Sequence, residues 1–373
     1  MHVVQNRTED LNQTLRNWLA RTLRGQPSNQ PENVTVSQLI SCAELEGVTT
    51  LVHHSLQNLS PECDLTLGFK NQAMQSTARA ILLQEERMRV LHILQKVKPI
   101  VLKGEAMAYA CYSQYQDRPM VDVDLLIKSF RMNEARDLLI DDGYLPQNSV
   151  SGNMVMPQVS FSKKLPANIS NVLDLHTSLF NRPALQDMLT YDNLIAAAQQ
   201  GVHRSGVIPC VGHLLIHAVL HLMAHHFNSR RLIWLYDINI LLGKIDEENG
   251  QIVLDFCNRH KMAAAMLEII DASSDLFPHN QIDLQSKLEK LAATQPVPHI
   301  ATRLACSDKP FSLAIQDWRS LRGGRQRGAW LRQHLVPPSN YMLQKYKMAS
   351  KWLLPFFYLW RILKGSVKLI VSK

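Results

Sequence analysis

The chain has 373 residues, 46% of them hydrophobic, enough to bury a substantial core and, at about 150 residues per domain, to build two or three domains. Its net charge of +8 is unevenly placed: residues 318–373 carry twelve Lys and Arg and no Asp or Glu, leaving 28 basic against 32 acidic groups elsewhere, a net of −4. No stretch reaches the roughly 18 apolar residues of a membrane span, the first residues lack a secretory apolar run, and the six scattered cysteines form no C-x-x-C pair, which excludes a cysteine zinc site and predicts a cytoplasmic protein with reduced thiols.

The leading hundred residues read as helical. Leu11, Leu15, Trp18, Leu19 and Leu23 form a stripe at helical spacing. After the loop Gly25-Gln-Pro-Ser-Asn-Gln-Pro31, Thr35 or Ser37 is placed to cap a helix running to about His54. A longer helix is predicted from Phe69 to Lys96. The pattern then becomes mixed, with strands expected at 99–102, 121–127, 155–163 and 171–178 and helices at 104–114 and 130–141. Gly143-Tyr144 reads as a helix stop. From Arg182 helices resume, with Pro166, Pro183 and Pro209 marking loops. The corresponding regions are a helical lead at 1–98, a core at 99–180, a helical domain at 181–317 and a basic aromatic tail at 318–373.

The segment Arg118-Pro-Met-Val-Asp122-Val-Asp124-Leu-Leu-Ile127 sets two carboxylates two residues apart in a β-branched run. In a strand, positions i and i+2 share a face, so Asp122 and Asp124 project together. Like charges held that close repel unless a cation lies between them, and clustered carboxylate oxygens are what Mg²⁺ accepts. Two readings are open on spacing alone: a metal-binding pair, or the polar face of an edge strand. Upstream, Ile100-Val-Leu-Lys103-Gly104-Glu105 runs from an apolar strand through a glycine into helix formers. Such a turn lets backbone approach a ligand, the helix start offers free N–H groups to phosphate, and Lys103 adds a point charge. Most turns of this kind bind nothing, so the order of the parts carries the signal.

Taken together, Leu-Lys103-Gly104, Arg118, Asp122-Val-Asp124-Leu-Leu, Asp-Gly-Tyr144 and Leu173-Asp174-Leu-His176 resemble the uncharacterised bacterial nucleotidyltransferase-like family of the polymerase-β-type superfamily. The resemblance implies an α+β fold, a small mixed-sheet nucleotidyltransferase core flanked by N-terminal and C-terminal helical regions. It implies that Gly104 forms the phosphate turn, that Asp122 and Asp124 bind Mg²⁺ (or Mn²⁺), and that Asp174 is the third acid, as base or metal bridge. The superfamily's usual turn is Gly-Ser or Gly-Gly; here an acid, Glu105, follows the glycine. Lys-Gly is the variant typical of the smaller family. Asp174 and His176 alternate onto one face, where His176 serves as an auxiliary donor or as a plain hydrogen-bonding partner. Arg118 reads either as a phosphate clamp or as a solvated loop arginine.

A second constellation is His213-Leu-Leu-Ile-His217-Ala-Val-Leu-His221-Leu-Met-Ala-His225-His226. Histidines four apart align along a helix face, and Asp237 in Trp234-Leu-Tyr-Asp237 adds an acid downstream. A metal site and a buried helix with hydrogen-bonded histidines both fit, the second better, because one helix rarely supplies more than two ligands. The missing glutamate of H-E-x-x-H disfavours a metalloprotease. The tail interleaves its basic residues with Trp330, Tyr341, Tyr346, Trp352, Phe356, Phe357, Tyr358 and Trp360. That mixture suits peripheral contact with an anionic membrane or packing on the protein's own body, and gives no strong nucleic-acid signal. The function expected is Mg²⁺-dependent transfer of a nucleoside monophosphate from an NTP to an unidentified small-molecule or protein acceptor. Two alternatives stand beside it: a non-catalytic binding protein of the same fold, motivated by Glu105, and a metal-dependent hydrolase built on His213, His217 and Asp237.

Overall fold

A computed structural model describes residues 2–26, 29–147, 152, 157–200, 206–225, 230–296, 310–347 and 350–371. The chain folds into two compact units that interleave in sequence. The first comprises Met1–Arg89, Leu102–Val121 and Cys210–Pro296; the second comprises Val90–Val101, Asp122–Pro209 and Val297–Lys373. The fold is α+β, a mixed sheet with helical flanks.

In the first unit all regular elements among the described residues are helical. The helix His2–Leu23 buries Leu15, Trp18, Leu19 and Leu23 of the stripe expected from its spacing, and leaves Leu11 half-buried. Thr35 caps the next helix, Val36–Glu46, through a capping box in which its hydroxyl oxygen accepts from the Gln38 N–H at 3.2 Å and Gln38 Oε1 accepts from the Thr35 N–H at 2.8 Å. The single helix expected to reach His54 is in fact two. Gly47 adopts φ +75° and donates back to the carbonyls of Ala43 and Glu44, ending the first helix before Thr49–Leu59 begins. A Cβ at position 47 would also sit 3.0 Å from Arg231 Nη2 and 3.2 Å from Ile233 Cγ2. Gly47→Ala is therefore expected to destabilise the fold by about 1–2 kcal/mol, the cost of a left-handed non-glycine residue, read as a shift in the denaturation midpoint.

The helix Asp64–Ile93 and its short 3-10 extension Leu94–Val97 correspond to the long helix expected upstream of the sheet. Further helices of the first unit, Val211–His225, Leu232–Lys244, Glu247–His260, Ala263–Ser274 and Ile282–Thr294, bury Leu215, Ile216, Ile238, Leu241, Val253, Met266, Ile269 and Leu288.

The second unit holds the whole sheet. Its strands are β1 (Ile100–Val101), β2 (Asp122–Leu126), β3 (Leu145–Pro146), β4 (Gln158–Lys164), β5 (Ser170–His176), β6 (Gln199–Gln200) and β7 (Val207–Ile208), in the order β3-β4-β5-β2-β1-β7-β6. β2 runs parallel to β5 and antiparallel to β1, and β4 is antiparallel to β5. β2 is thus a central strand, which removes the edge-strand reading of its two aspartates. The start of the strand expected at 155–163 lies outside the described residues, and β4 begins at Gln158. On one sheet face Val123, Leu125, Phe161, Leu173 and Leu175 are buried, the apolar half of the period-2 alternation. The helix Met132–Asp141 buries Ala135 and Leu139 and stops at Gly143, and the following Tyr144 accepts a hydrogen bond from Asn171 Nδ2 at 2.7 Å.

A candidate metal centre on the sheet

The parallel register of β2 and β5 pairs Asp124 with Asp174, and Asp122 with Val172. Partners in register share a face, so Asp122, Asp124, Asp174 and His176 all belong to the face opposite the apolar one. Antiparallel β4 brings Ser160 opposite Asp174 and Gln158 opposite His176 on that same face. The sequence makes this arrangement twice over: D-x-D on one strand and D-x-H on its neighbour, each alternating with Val or Leu.

Asp124 and His176 are nearly closed off from solvent, at 4% and 3% exposure. His176 Nε2 lies 2.7 Å from Asp124 Oδ1, and Gln158 Nε2 donates to Asp174 Oδ2 at 3.3 Å. Ligand atoms of Asp124, Asp174 and His176 all fall within 4.8 Å of one another, the one such group of three among the described residues. The other ring nitrogen of His176, Nδ1, is buried without a hydrogen-bond partner among the described residues. Two carboxylates and an imidazole, two of the three buried, are a donor set that accepts a divalent cation, which offsets the repulsion between the acids. Asp122 shares the face but is exposed at the start of β2 and stands outside the group of three.

The pattern of the family described as uncharacterised nucleotidyltransferase matches residues 32–278. The chain belongs to that family. No curated protein matches it. Among solved structures, the crystal structure of JHP933 from Helicobacter pylori is similar to it at 13% identity, covering 63% of this chain and 96% of that one, with a TM-score of 0.29.

In this member of the family the other residues expected at the site lie in the helical unit. Lys103 and Gly104 open the helix Lys103–Ala110. The unusual backbone falls on the lysine, with φ +49°, a left-handed conformation that costs a non-glycine residue on the order of 1 kcal/mol. Gly104 has a packing reason of its own, since a Cβ there would come 3.2 Å from Arg118 Nη1. Arg118 is not a solvated loop residue. Its side chain is 9% exposed, its Nε and Nη2 donate to both carboxylate oxygens of Asp237 at 2.8 to 3.0 Å, and its Nη1 donates to the Pro119 carbonyl at 2.7 Å. Tyr112 OH donates to the same carboxylate at 2.7 Å. Burial, and then the adjacent Asp237, push the Tyr112 phenol well above its ordinary range.

Glu105, the acid that stands out in the turn, is turned into the helical unit. It pairs with Arg87 at 3.1 Å and accepts from Tyr115 OH at 2.8 Å, all three being buried. Its carboxylate is thus engaged by buried partners of its own unit. His213, His217 and His221 of the second constellation lie on the helix Val211–His225. His213 Nδ1 lies 3.4 Å from Cys210 Sγ, and burial holds its pKa below the usual value. The rings of His217 and His221 meet edge-on at 6.2 Å. Asp237 is engaged by Arg118 and Tyr112, and His213, His217 and Asp237 form no group of three ligands among the described residues. The His225 side chain and His226 lie outside the described residues. The residue beside the group that sequence reasoning missed is Gln158; its signal was its place in an alternating strand, which says nothing of its partner on β5.

Proposed function

We propose that the protein transfers a nucleoside monophosphate from an NTP to a hydroxyl of a small molecule or protein, using a Mg²⁺ or Mn²⁺ ion held by Asp124 and Asp174. The observation that carries this reading is the convergence of Asp124, Asp174 and His176 on one sheet face in a chain of the nucleotidyltransferase family. The donor set fits such an ion: the carboxylate oxygens suit Mg²⁺ and Mn²⁺ alike, while an imidazole ligand favours Mn²⁺. When bound, the ion would supply charge neutralisation at the triphosphate.

The protein's own groups do the rest. With the ion bound, His176 would join Asp124 and Asp174 as a ligand, and Asp122 would complete the set from its exposed place on the same face. Asp174, steadied by Gln158, accepts the proton of the acceptor hydroxyl. The hydroxyl oxygen forms a bond to the α-phosphorus as the α–β phosphoanhydride bond breaks and pyrophosphate leaves. The phosphate role of Lys103 and Gly104 rests on the family resemblance. Titration of the protein with a non-hydrolysable NTP analogue tests the reading. Binding is expected in Mn²⁺ and more weakly in Mg²⁺, and is expected to be lost in a chelator; equal affinity with and without the ion would sink it.

A further inference from the structure

The helix Leu354–Val371 and the 3-10 turn Lys351–Leu353 before it close the basic tail of the second unit. One side of the helix is tied down. Tyr358 OH donates to the Pro337 carbonyl at 2.7 Å, Arg361 Nε donates to the His334 carbonyl at 2.8 Å, and the Phe357 ring lies 5.0 Å from that of Tyr346. The opposite side is bare. Phe356, Leu359, Trp360 and Leu363 recur at i, i+3, i+4 and i+7, all are exposed, and at 3.6 residues per turn they fall within an arc of about 100°. Trp352, at 92% exposure, and Leu353 extend that apolar surface.

Along the tail the charge has one sign. Arg325, Arg332, Lys345, Lys347, Lys351 and Lys364 are exposed, and residues 318–373 contain no acid at all. No described helix is long and apolar enough to cross a membrane. An apolar stripe with tryptophans, in a tail whose only charged side chains are basic, is the complement of a negatively charged lipid surface, which takes the rings and leucines at its acyl boundary and pairs its headgroups with the lysines and arginines. Nucleic acid would use the cations and stack on separated rings, but it has no use for Leu353, Leu359 and Leu363.

We propose that this face docks on an anionic lipid bilayer, laying the helix Leu354–Val371 in the plane of the interface. The inference is independent of the metal centre. Full-length protein is mixed with vesicles of phosphatidylglycerol and phosphatidylcholine, or of phosphatidylcholine alone, and sedimented. Co-sedimentation is expected with the anionic vesicles, at least tenfold stronger than with the neutral ones. It is expected to fall at least tenfold in the variant Phe356→Gln/Leu359→Gln/Trp360→Gln, whose changes lie on exposed positions and leave the melting temperature within about 2 °C of wild type. Failure of the wild type to sediment with anionic vesicles, or equal sedimentation of the triple variant, overturns the proposal. So does a vesicle-independent dimer, or tight binding of a single-stranded oligonucleotide, that the triple variant alone abolishes, because the face would then belong to that partner.

Discussion

Replacing Asp124 with Asn is expected to lower the affinity for Mn²⁺ by about a hundredfold or more and to abolish ion-dependent NTP binding. The estimate starts from the tenfold to hundredfold loss that follows removal of a group merely supporting a metal ligand; a ligand itself costs at least as much. Asp124 is the sharper test than Asp122 because it sits inside the group of three and is held by His176 at 2.7 Å. Asp122→Asn, at an exposed strand start, is expected to weaken binding by about tenfold at most, the smaller end of the same range. His176→Gln keeps a side chain of similar reach without an imidazole, and is expected to narrow the preference for Mn²⁺ over Mg²⁺. Calorimetric titration of each ion, with circular dichroism to confirm that each variant folds, reads all three. Wild-type affinity in Asp124→Asn would remove the metal centre, and with it the basis for transfer chemistry at this face.

The strands that build the centre were legible because their pattern is local. Asp122-Val-Asp124 and Leu173-Asp174-Leu-His176 alternate polar and apolar, and alternation alone assigns faces. What alternation cannot say is which strands become neighbours. The parallel pairing of β2 with β5 puts Asp174 beside Asp124 rather than beside Asp122, and moves His176 from an accessory position to direct contact with an acid. The two-residue strands β3, β6 and β7 escaped for a related reason: they exist through their sheet partners, and two residues carry no period. The division of the N-terminal helices hung on a single backbone angle at Gly47, in a stretch whose apolar spacing continues across the break. Least legible were Glu105 and Arg118. Each was read from its neighbours in sequence, beside a glycine turn and ahead of a D-x-D pair, yet each is fixed by a partner far along the chain, Arg87 and Asp237. A charged residue near a motif looks like part of the motif until its counter-ion is known.

That counter-ion gives the second large effect. Asp237→Ala leaves the Arg118 guanidinium inside the helical unit without its carboxylate, and breaking a buried pair by removing one partner costs about 3–5 kcal/mol. The pair qualifies because both side chains are under a tenth exposed and are joined by three N–H···O contacts of 2.8 to 3.0 Å, while Tyr112 loses its acceptor as well. Removing both charges is a different matter. In Arg118→Met/Asp237→Leu no ion is left uncompensated, and apolar side chains of similar volume commonly match or exceed a buried ion pair in stability. The double variant is therefore expected to recover most of what Asp237→Ala loses, as read by urea denaturation. The same protein decides what Arg118 does. If the arginine serves only to hold Asp237 and the helices around it, the refolded double variant binds an NTP analogue in Mn²⁺ as the wild type does. If it clamps phosphate, as its place ahead of Asp122 suggests from sequence, stability returns and nucleotide binding does not. The first result is expected, since Asp237 and the Pro119 carbonyl engage three of the guanidinium's five N–H groups and hold it inside the helical unit.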